Sequence, residues 1–178
     1  MTETTVNPFP DLPVPTATLE LVPARDNLGD TVDRLVELLA FPLPRRRHGA
    51  WNNDAAPMEH PALGAREAMR LALAEALTNV VRHSHHPDDA PIVITAGTDP
   101  NRWVVIQDEG MALPTRLLTP GASPEAPRPG DALEDLPESG WGWMLIHASV
   151  DRIGYARERG RNYLLLGKEI ARSRSTAA

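Results

Sequence analysis

Two spacings of apolar residues alternate along this chain, and each predicts a different kind of element. Leucine and valine recur every three or four positions over residues 26–39, which is the period of an amphipathic helix. A longer helix is predicted over residues 63–83, where AREAMRLALAEALTNVVRH is rich in alanine and leucine. A shorter apolar stretch predicts a third helix over residues 143–150.

Short runs of β-branched and other apolar residues predict five strands. They cover residues 19–22, 91–96, 103–107, 152–157 and 162–168. Turn-forming residues join the second strand to the third and the fourth to the fifth, so both pairs are predicted to be β-hairpins. This order predicts an α+β fold, a two-layer α/β sandwich in which helices cover one face of a mixed, mostly antiparallel sheet.

The segments without a period define the limits of the domain. Residues 1–18 hold four prolines and are predicted to be a disordered tail, and residues 171–178 form a polar tail. Residues 19–170 then form one domain, which suits a chain of this length. Within it, residues 112–139 hold six prolines, and a connection that long is predicted to be a functional lid.

The composition narrows the choice of partners. Acidic residues outnumber basic ones by 24 to 18, which argues against nucleic acid as a direct partner because such binding depends on Lys and Arg. The absence of cysteine excludes disulfides and thiolate metal sites. No apolar run approaches the ~18 residues of a membrane span, and no signal-peptide layout is present. We therefore expect a cytoplasmic protein without a membrane contact.

Three polar side chains interrupt the longest predicted helix at a regular interval. Glu75, Asn79 and His83 stand at i, i+4 and i+8, so they form one line along the helix. A carboxylate can deprotonate a hydroxyl, and an amide oxygen one turn later can complete the oxygen-rich shell of Mg²⁺. A solvated helix stripe explains the same spacing, so this line alone leaves both interpretations open.

Two glycine turns follow in the chain. Asp108 and Gly110 come directly after a predicted strand, where a carboxylate can accept a hydrogen bond from a purine amino group and glycine permits close backbone approach. Gly140 and Gly142 precede the third helix, whose N-terminal N–H groups can hold phosphates. Ordinary turns use the same residues. A P-loop protein is excluded, because the chain has no Gly-x4-Gly-Lys-Ser/Thr motif.

Histidine and tryptophan near these motifs allow further interpretations. His83, His85 and His86 cluster at the end of the long helix, where a metal site is conceivable but the spacing favours a frayed helix end. Trp143 beside the second glycine turn fits either stacking on a nucleotide or packing in the core.

Three segments in this order resemble the motifs of a known superfamily. EALTNVVRH, DEG and SGWGWMLI resemble the N box and the two glycine boxes of the ATP-binding superfamily that includes gyrase, histidine kinases and mismatch-repair ATPases. Together with the ending WGWMLIHASVDRIGYARERGRNYLLLGKEI, they most resemble the anti-sigma factor serine kinases of partner-switching systems. The resemblance covers roughly residues 19–170 and implies the Bergerat ATP-binding fold with a long ATP lid.

The resemblance also implies a role for each candidate residue, with ATP and Mg²⁺ as cofactors. Asn79 coordinates Mg²⁺, Asp108 binds the adenine amino group, and Glu75 is the catalytic base. The other cofactor-binding positions are His83, Gly110, Gly140 and Gly142.

The same resemblance implies two protein partners. Such proteins sequester a sigma factor in one state and, in the other, phosphorylate a serine or threonine of a STAS-type anti-sigma factor antagonist. A homodimer is left open.

Departures from the family pattern support an alternative. Ala112 stands where the second glycine of Asp-x-Gly-x-Gly is expected, and acidic lid residues would repel a triphosphate. The alternative is a non-catalytic nucleotide-binding or relic-pocket module that sequesters a regulatory partner. The catalytic domain of a histidine kinase is less favoured, because no phosphoacceptor helix pair precedes residue 19. A chance match in an unrelated domain would need three coincidences in order.

Overall fold

The computed structural model describes residues 8–42, 61–119 and 141–170. These residues form three helices, α1 to α3, five strands, β1 to β5, and a short 3₁₀ helix. The helices are α1 Leu28–Leu38, α2 Pro61–His83 and α3 Trp141–Ser149, and the 3₁₀ helix is Thr115–Leu118. The strands are β1 Ala17–Leu21, β2 Ile92–Gly97, β3 Arg102–Asp108, β4 Arg152–Glu158 and β5 Arg161–Lys168.

The described strands form one sheet in the order β1-β2-β3-β5-β4. Every neighbouring pair in it is antiparallel, so the prediction of a mixed sheet is wrong for the described residues. The reason is the crossover from β3 to β4, which places β4 at the edge of the sheet. β4 runs in the same direction as β3, but β5 lies between them and pairs antiparallel with both. The α+β class and the two-layer arrangement are confirmed.

One face of the sheet and the three helices enclose the main core. Alternate residues of the central strands, such as Ile94, Ile106 and Leu164, point to this face because side chains alternate along a strand. Leu73 and Ile146, from α2 and α3, pack on them and are fully buried. The core therefore fixes α2 against both the sheet and α3, which is the arrangement that builds the site described below.

Helix α1 is held at both ends by side-chain hydrogen bonds. The Oδ1 of Asn27 accepts from two N–H groups of the first turn at 2.8 and 3.2 Å. Beyond the other end, the Arg102 guanidinium donates to the carbonyls of Leu39, Ala40 and Thr98 at 2.8–2.9 Å. Burial lowers the pKa of Arg102, since it removes water from the cation, and the carbonyls replace that water.

The opposite face of the sheet carries a second apolar cluster covered by the N-terminal segment. Trp103 and Tyr163 are buried there with Val105 and Leu165, and Phe9 and Leu12 pack against them. Phe9 and Leu12 both belong to a strap, residues 8–16, which runs back from the β1 edge until the Phe9 ring meets Gly154 of edge strand β4. The prediction of a disordered tail over residues 1–18 is therefore wrong from residue 8 onward. Phe9 and Leu12 do not belong to a periodic segment, but they pack on the apolar outer face of the sheet. Residues 1–7 and 171–178 lie outside the described residues.

None of the helices within the described ranges is long and apolar enough to cross a membrane.

We expect Phe9→Ala to lower the free energy of unfolding by about 1–2 kcal/mol, since the partly buried ring would leave apolar area uncovered. Urea unfolding measures the change. Val14→Ala is the matched control, because Val14 is 86% exposed in the same strap. Equal stability of the two variants would show that the Phe9 ring does not stabilise the fold.

Candidate functional site

The line of polar residues on α2 faces α3 and a cavity. Asn79 is half-buried, and its Nδ2 is buried without a partner among the described residues. His83 is exposed at the rim of the cavity, whereas Glu75 lies deeper along α2, against the first turn of α3. A buried hydrogen-bond donor without a partner is costly in a folded protein, so the Asn79 amide is suited to bind an acceptor atom of a ligand.

Asp108 lies at the end of β3 and is 5% exposed. Its Oδ1 accepts two hydrogen bonds, from the Gly110 N–H at 2.7 Å and from Asn162 Nδ2 at 2.8 Å. Both protein donors use the same oxygen, and Asp108 borders the cavity. The second oxygen, Oδ2, is therefore the acceptor that the site can offer to a ligand N–H group.

Asn162 fixes the orientation of that carboxylate. It stands opposite Asp108 in the β3–β5 pairing and is 4% exposed. Its Nδ2 also lies within 3.0–3.2 Å of the carbonyls of Met111 and Gly110, and its Oδ1 accepts from the Tyr155 hydroxyl and from Arg157. Arginine can only donate and a carboxylate can only accept, so these partners allow a single orientation of the amide.

Tyr155 and Arg157 extend this network to the segment after β3. Arg157 donates to the carbonyl of Gly110 at 2.9 Å, and the Tyr155 hydroxyl accepts from the Leu113 N–H at 3.0 Å. Both side chains belong to β4, so the edge strand of the sheet holds residues 110–113 in place. The site wall is thus tied to β4 and β5 before any ligand binds.

Gly110 lies where α2 ends against the turn after β3. A Cβ at this position would come within 2.4–2.6 Å of Ser84, including 2.5 Å from its backbone carbonyl. That carbonyl accepts the Met111 N–H at 2.5 Å. Glycine is required here because two backbones approach closely, and the neighbour that a side chain would meet is Ser84, the residue after α2.

Gly142 lies in the first turn of α3, close to the polar line of α2. A Cβ there would lie 2.7 Å from Glu75 Oε2 and 3.7 Å from both amide atoms of Asn79. The glycine therefore lets the N-terminal end of α3 approach these two side chains. Gly140 and residues 120–139 of the predicted lid lie outside the described residues.

These residues surround one cavity of about 370 Å³. Its polar lining consists of Asn79, His83, Ser84, Asp108, Tyr155 and Asn162. The rest of the lining is mostly apolar and includes Met111, Ala112, Leu117, Gly142 and Trp143. Four of the predicted site residues, Asn79, His83, Asp108 and Gly142, therefore meet at this cavity, while Gly110 and Glu75 support its walls. A mostly apolar cavity with a few convergent polar groups is typical of a small-molecule site.

The base of the predicted lid closes one side of the cavity. His147 of α3 contacts the carbonyl of Leu117 through Nε2 at 2.8 Å, which places the 3₁₀ helix against α3. Trp143 packs in the core, where it is 8% exposed, and it also lines the cavity.

Several residues of the site were not singled out from the sequence. One signal was available for Asn162: it shares the inward parity of the buried Leu164 and Leu166 in β5, and a polar residue on a core face requires a partner. Nothing local marked Tyr155 or Arg157. The interpretation of His86 as part of a frayed end is wrong, because it is 5% exposed and hydrogen-bonded.

The residues present fit a nucleotide with Mg²⁺. Asp108 offers a carboxylate oxygen, and apolar walls can cover a ring. Near the start of α3, Asn79 offers an amide oxygen for Mg²⁺ and an Nδ2 donor that has no partner among the described residues and can bind a phosphate oxygen. Among the described residues no group of three His, Asp or Glu side chains could hold a metal, so the idea of a histidine metal site finds no support there. Mg²⁺ takes few protein ligands when phosphate oxygens complete its shell, which matches a single amide.

Comparison with known proteins agrees with this geometry. Residues 48–168 match the family described as the histidine kinase-like ATPase domain. The chain belongs to this family. Since the match covers more than half of the chain and includes α2, both glycine turns and β5, the cavity is that of a histidine kinase-like ATPase domain.

Within this family, the chain is similar in sequence to several curated proteins. The chain is 32% identical over 101 residues to "Serine-protein kinase RsbW" of Bacillus cereus (strain AH820) and of Bacillus anthracis, and the alignments cover 56% of this chain. It spans 61% of the length of these relatives. A solved structure of the RsbU and RsbW domains of Rv1364c from Mycobacterium tuberculosis superimposes with a TM-score of 0.49 at 19% identity, covering 89% of this chain and 34% of that chain.

Substitution by alanine should lower stability by different amounts at Gly110 and at Gly142. Gly110→Ala should lower the free energy of unfolding by about 2 kcal/mol, because its Cβ meets backbone that cannot move aside. Gly142→Ala should cost less than about 1 kcal/mol, since it meets the mobile end of Glu75. Urea unfolding followed by circular dichroism measures both.

Gly64→Ala in α2 is the control, because nothing lies within 4 Å of its Cβ. This change should stabilise the helix by about 0.5–1 kcal/mol. A Gly110→Ala protein as stable as the wild type would contradict the close packing of Ser84 on this turn.

Proposed function

We propose that this chain binds ATP with Mg²⁺ in the cavity and acts as an anti-sigma factor with serine/threonine protein kinase activity. The observation that carries the proposal is the Asp108 carboxylate. One oxygen is saturated by protein donors and the other is left for a ligand, beside the same cavity that the unpaired amide of Asn79 borders.

In this proposal different residues of the cavity bind different parts of the nucleotide. Asp108 Oδ2 accepts a hydrogen bond from the adenine amino group, and apolar side chains of the lining cover the ring. Asn79 holds Mg²⁺ together with phosphate oxygens, and His83 supports the rim. The first turn of α3 approaches closely enough for its N–H groups to contact phosphates, because residue 142 has no side chain.

Glu75 is the proposed catalytic base. It lies one helical turn before Asn79 and against Gly142, next to the proposed phosphate end of the site. There it accepts the proton of a serine or threonine hydroxyl as that oxygen forms its bond to the γ-phosphorus and ADP leaves. Mg²⁺ supplies charge stabilisation for this in-line transfer when bound.

The proposed partners are a sigma factor and a STAS-type anti-sigma factor antagonist that carries the acceptor hydroxyl. The support is the similarity to proteins named serine-protein kinase RsbW. The antagonist would present its hydroxyl at the Glu75 end of the cavity, since the other end holds the base in this proposal.

One observation favours a second candidate function, a binding module that retains the nucleotide and has lost the transfer step. Ala112 lines the cavity where the family pattern expects glycine, so the segment that leads to the lid has less backbone freedom. Such a protein would still sequester its regulatory partner.

Calorimetric titration of Mg-ATP tests the nucleotide site. Asp108→Asn should weaken binding about 10- to 100-fold, since a donor replaces the acceptor facing the adenine amino group. Asn79→Ala should abolish the difference between titrations with and without Mg²⁺. Asp99→Asn, at an exposed turn between β2 and β3, is the control and should bind like the wild type. A wild-type protein that binds no ATP would refute the proposal.

Glu75→Gln separates the kinase from the binding module. With Mg-[γ-³²P]ATP and a STAS-type antagonist, the wild type should form phosphoprotein, and this variant should lose at least about 100-fold in rate while ATP affinity changes little. Glu67→Gln, two turns earlier on α2 and exposed, should keep full activity. A wild type that binds ATP but forms no phosphoprotein would favour the binding module.

A further inference from the structure

His86 is a buried titratable residue to which the proposed mechanism gives no part. It lies three positions after the end of α2, in the connection to β2, and it is 5% exposed. Each ring nitrogen has a different backbone partner. Nδ1 lies 3.1 Å from the N–H of Glu109, and Nε2 lies 3.1 Å from the carbonyl of Ala90.

These partners define the tautomer of the ring. A backbone N–H can only donate, so Nδ1 of His86 is the acceptor; a carbonyl can only accept, so Nε2 carries the hydrogen. The imidazole is therefore the tautomer that carries its hydrogen on Nε2.

The Nδ1 contact acts on the turn that carries the candidate purine-binding carboxylate. Glu109 stands between Asp108 and Gly110, so its N–H belongs to the peptide group that follows Asp108. Ser84 holds the same turn two residues later, through the Met111 N–H, and its Oγ accepts from the N–H of His86. The end of α2 thus holds the turn at two backbone N–H groups.

The Nε2 contact has a separate role. Ala90 closes a turn with Pro87, and the carbonyl of Asp88 accepts the N–H of Ala24 in the segment before α1. This half of the imidazole therefore secures the connection between α2 and β2, away from the cavity. The two halves of one side chain can be tested independently.

We propose that His86 is a positioning residue for nucleotide binding. Its Nδ1 fixes the backbone of the turn at residues 108–110, and this directs the free oxygen of Asp108 into the cavity toward a 6-aminopurine. Asn162 and the Gly110 N–H hold the other carboxylate oxygen, so His86 supplies the constraint on the main chain that those contacts lack. The inference rests on the proposed ATP site.

A matched pair of substitutions separates the two nitrogens. In His86→Asn, Oδ1 is as many bonds from Cβ as Nδ1, so the acceptor for Glu109 is kept and the Ala90 contact is lost. In His86→Gln, Nε2 occupies the place of the ring Nε2, so the Ala90 contact is kept and the acceptor is lost. Both variants remove a ring from the same buried position.

The readout is the ratio of the Kd for ITP to the Kd for ATP, measured by calorimetry with Mg²⁺. ITP has a 6-oxo group in place of the amino group that Asp108 would bind. We expect His86→Gln to weaken ATP binding about 5- to 10-fold, the change that one lost hydrogen bond produces, and to shrink the ratio. His86→Asn should keep the wild-type ratio. A loosened fold would weaken both nucleotides alike and leave the ratio unchanged.

Each outcome has a distinct meaning. If the wild type binds neither nucleotide, the proposed function is refuted. If the wild type prefers ATP and the His86→Gln protein has the same ratio of Kd values, only the role of His86 is refuted. Equal loss in both variants also refutes it, because packing alone would then explain the effect.

If the variants do not fold, amide exchange in the wild type gives the test. The Glu109 N–H should exchange more slowly with ATP than without it, and the His86 ring should show the Nε2–H form by nitrogen NMR. Unchanged exchange of Glu109 or an Nδ1–H ring would overturn the inference.

Discussion

The site depends on one hydrogen bond between two buried polar side chains, Asn162 Nδ2 and Asp108 Oδ1. A carboxylate that is almost fully removed from water is unfavourable unless donors replace the water. Asn162 supplies one donor and the Gly110 N–H the other, both on the same oxygen. These two donors hold Asp108 in place, but they satisfy only one of its two oxygens. The second oxygen is left for a ligand.

The surroundings of this pair hold it from two sides. On the sheet side, Tyr155 and Arg157 bind the amide oxygen of Asn162 and the chain that follows Asp108. On the helix side, Ser84 and His86 bind the N–H groups of the turn. Since the core packs α2 against the same sheet, the helix that carries Asn79 and the strand that carries Asp108 have a fixed relation. Two polar residues 29 positions apart in the chain thus face one cavity.

Membership in the histidine kinase-like ATPase family explains the order of the motifs, and this chain realises them with its own residues. Ala112 lines the cavity where a glycine is usual in the resembling proteins. The strap of residues 8–16 covers the outer sheet face behind Tyr163, the neighbour of Asn162 in β5. Because one strand carries Asn162 to the cavity and Tyr163 to the strap, both layers of packing meet at the same part of the sheet.

By itself, the sequence determined the elements and the line of Glu75, Asn79 and His83, because helical spacing is a local property of the chain. It also indicated the glycine turns, and the family resemblance supplied their meaning. Only the tertiary structure decided what each side chain meets. The partner of Asp108 lies 54 positions away, and the burial of His86 depends on the turn after β3. The fully antiparallel order and the strap followed from which strands and faces met in space, and no local pattern of residues encodes such long-range pairings.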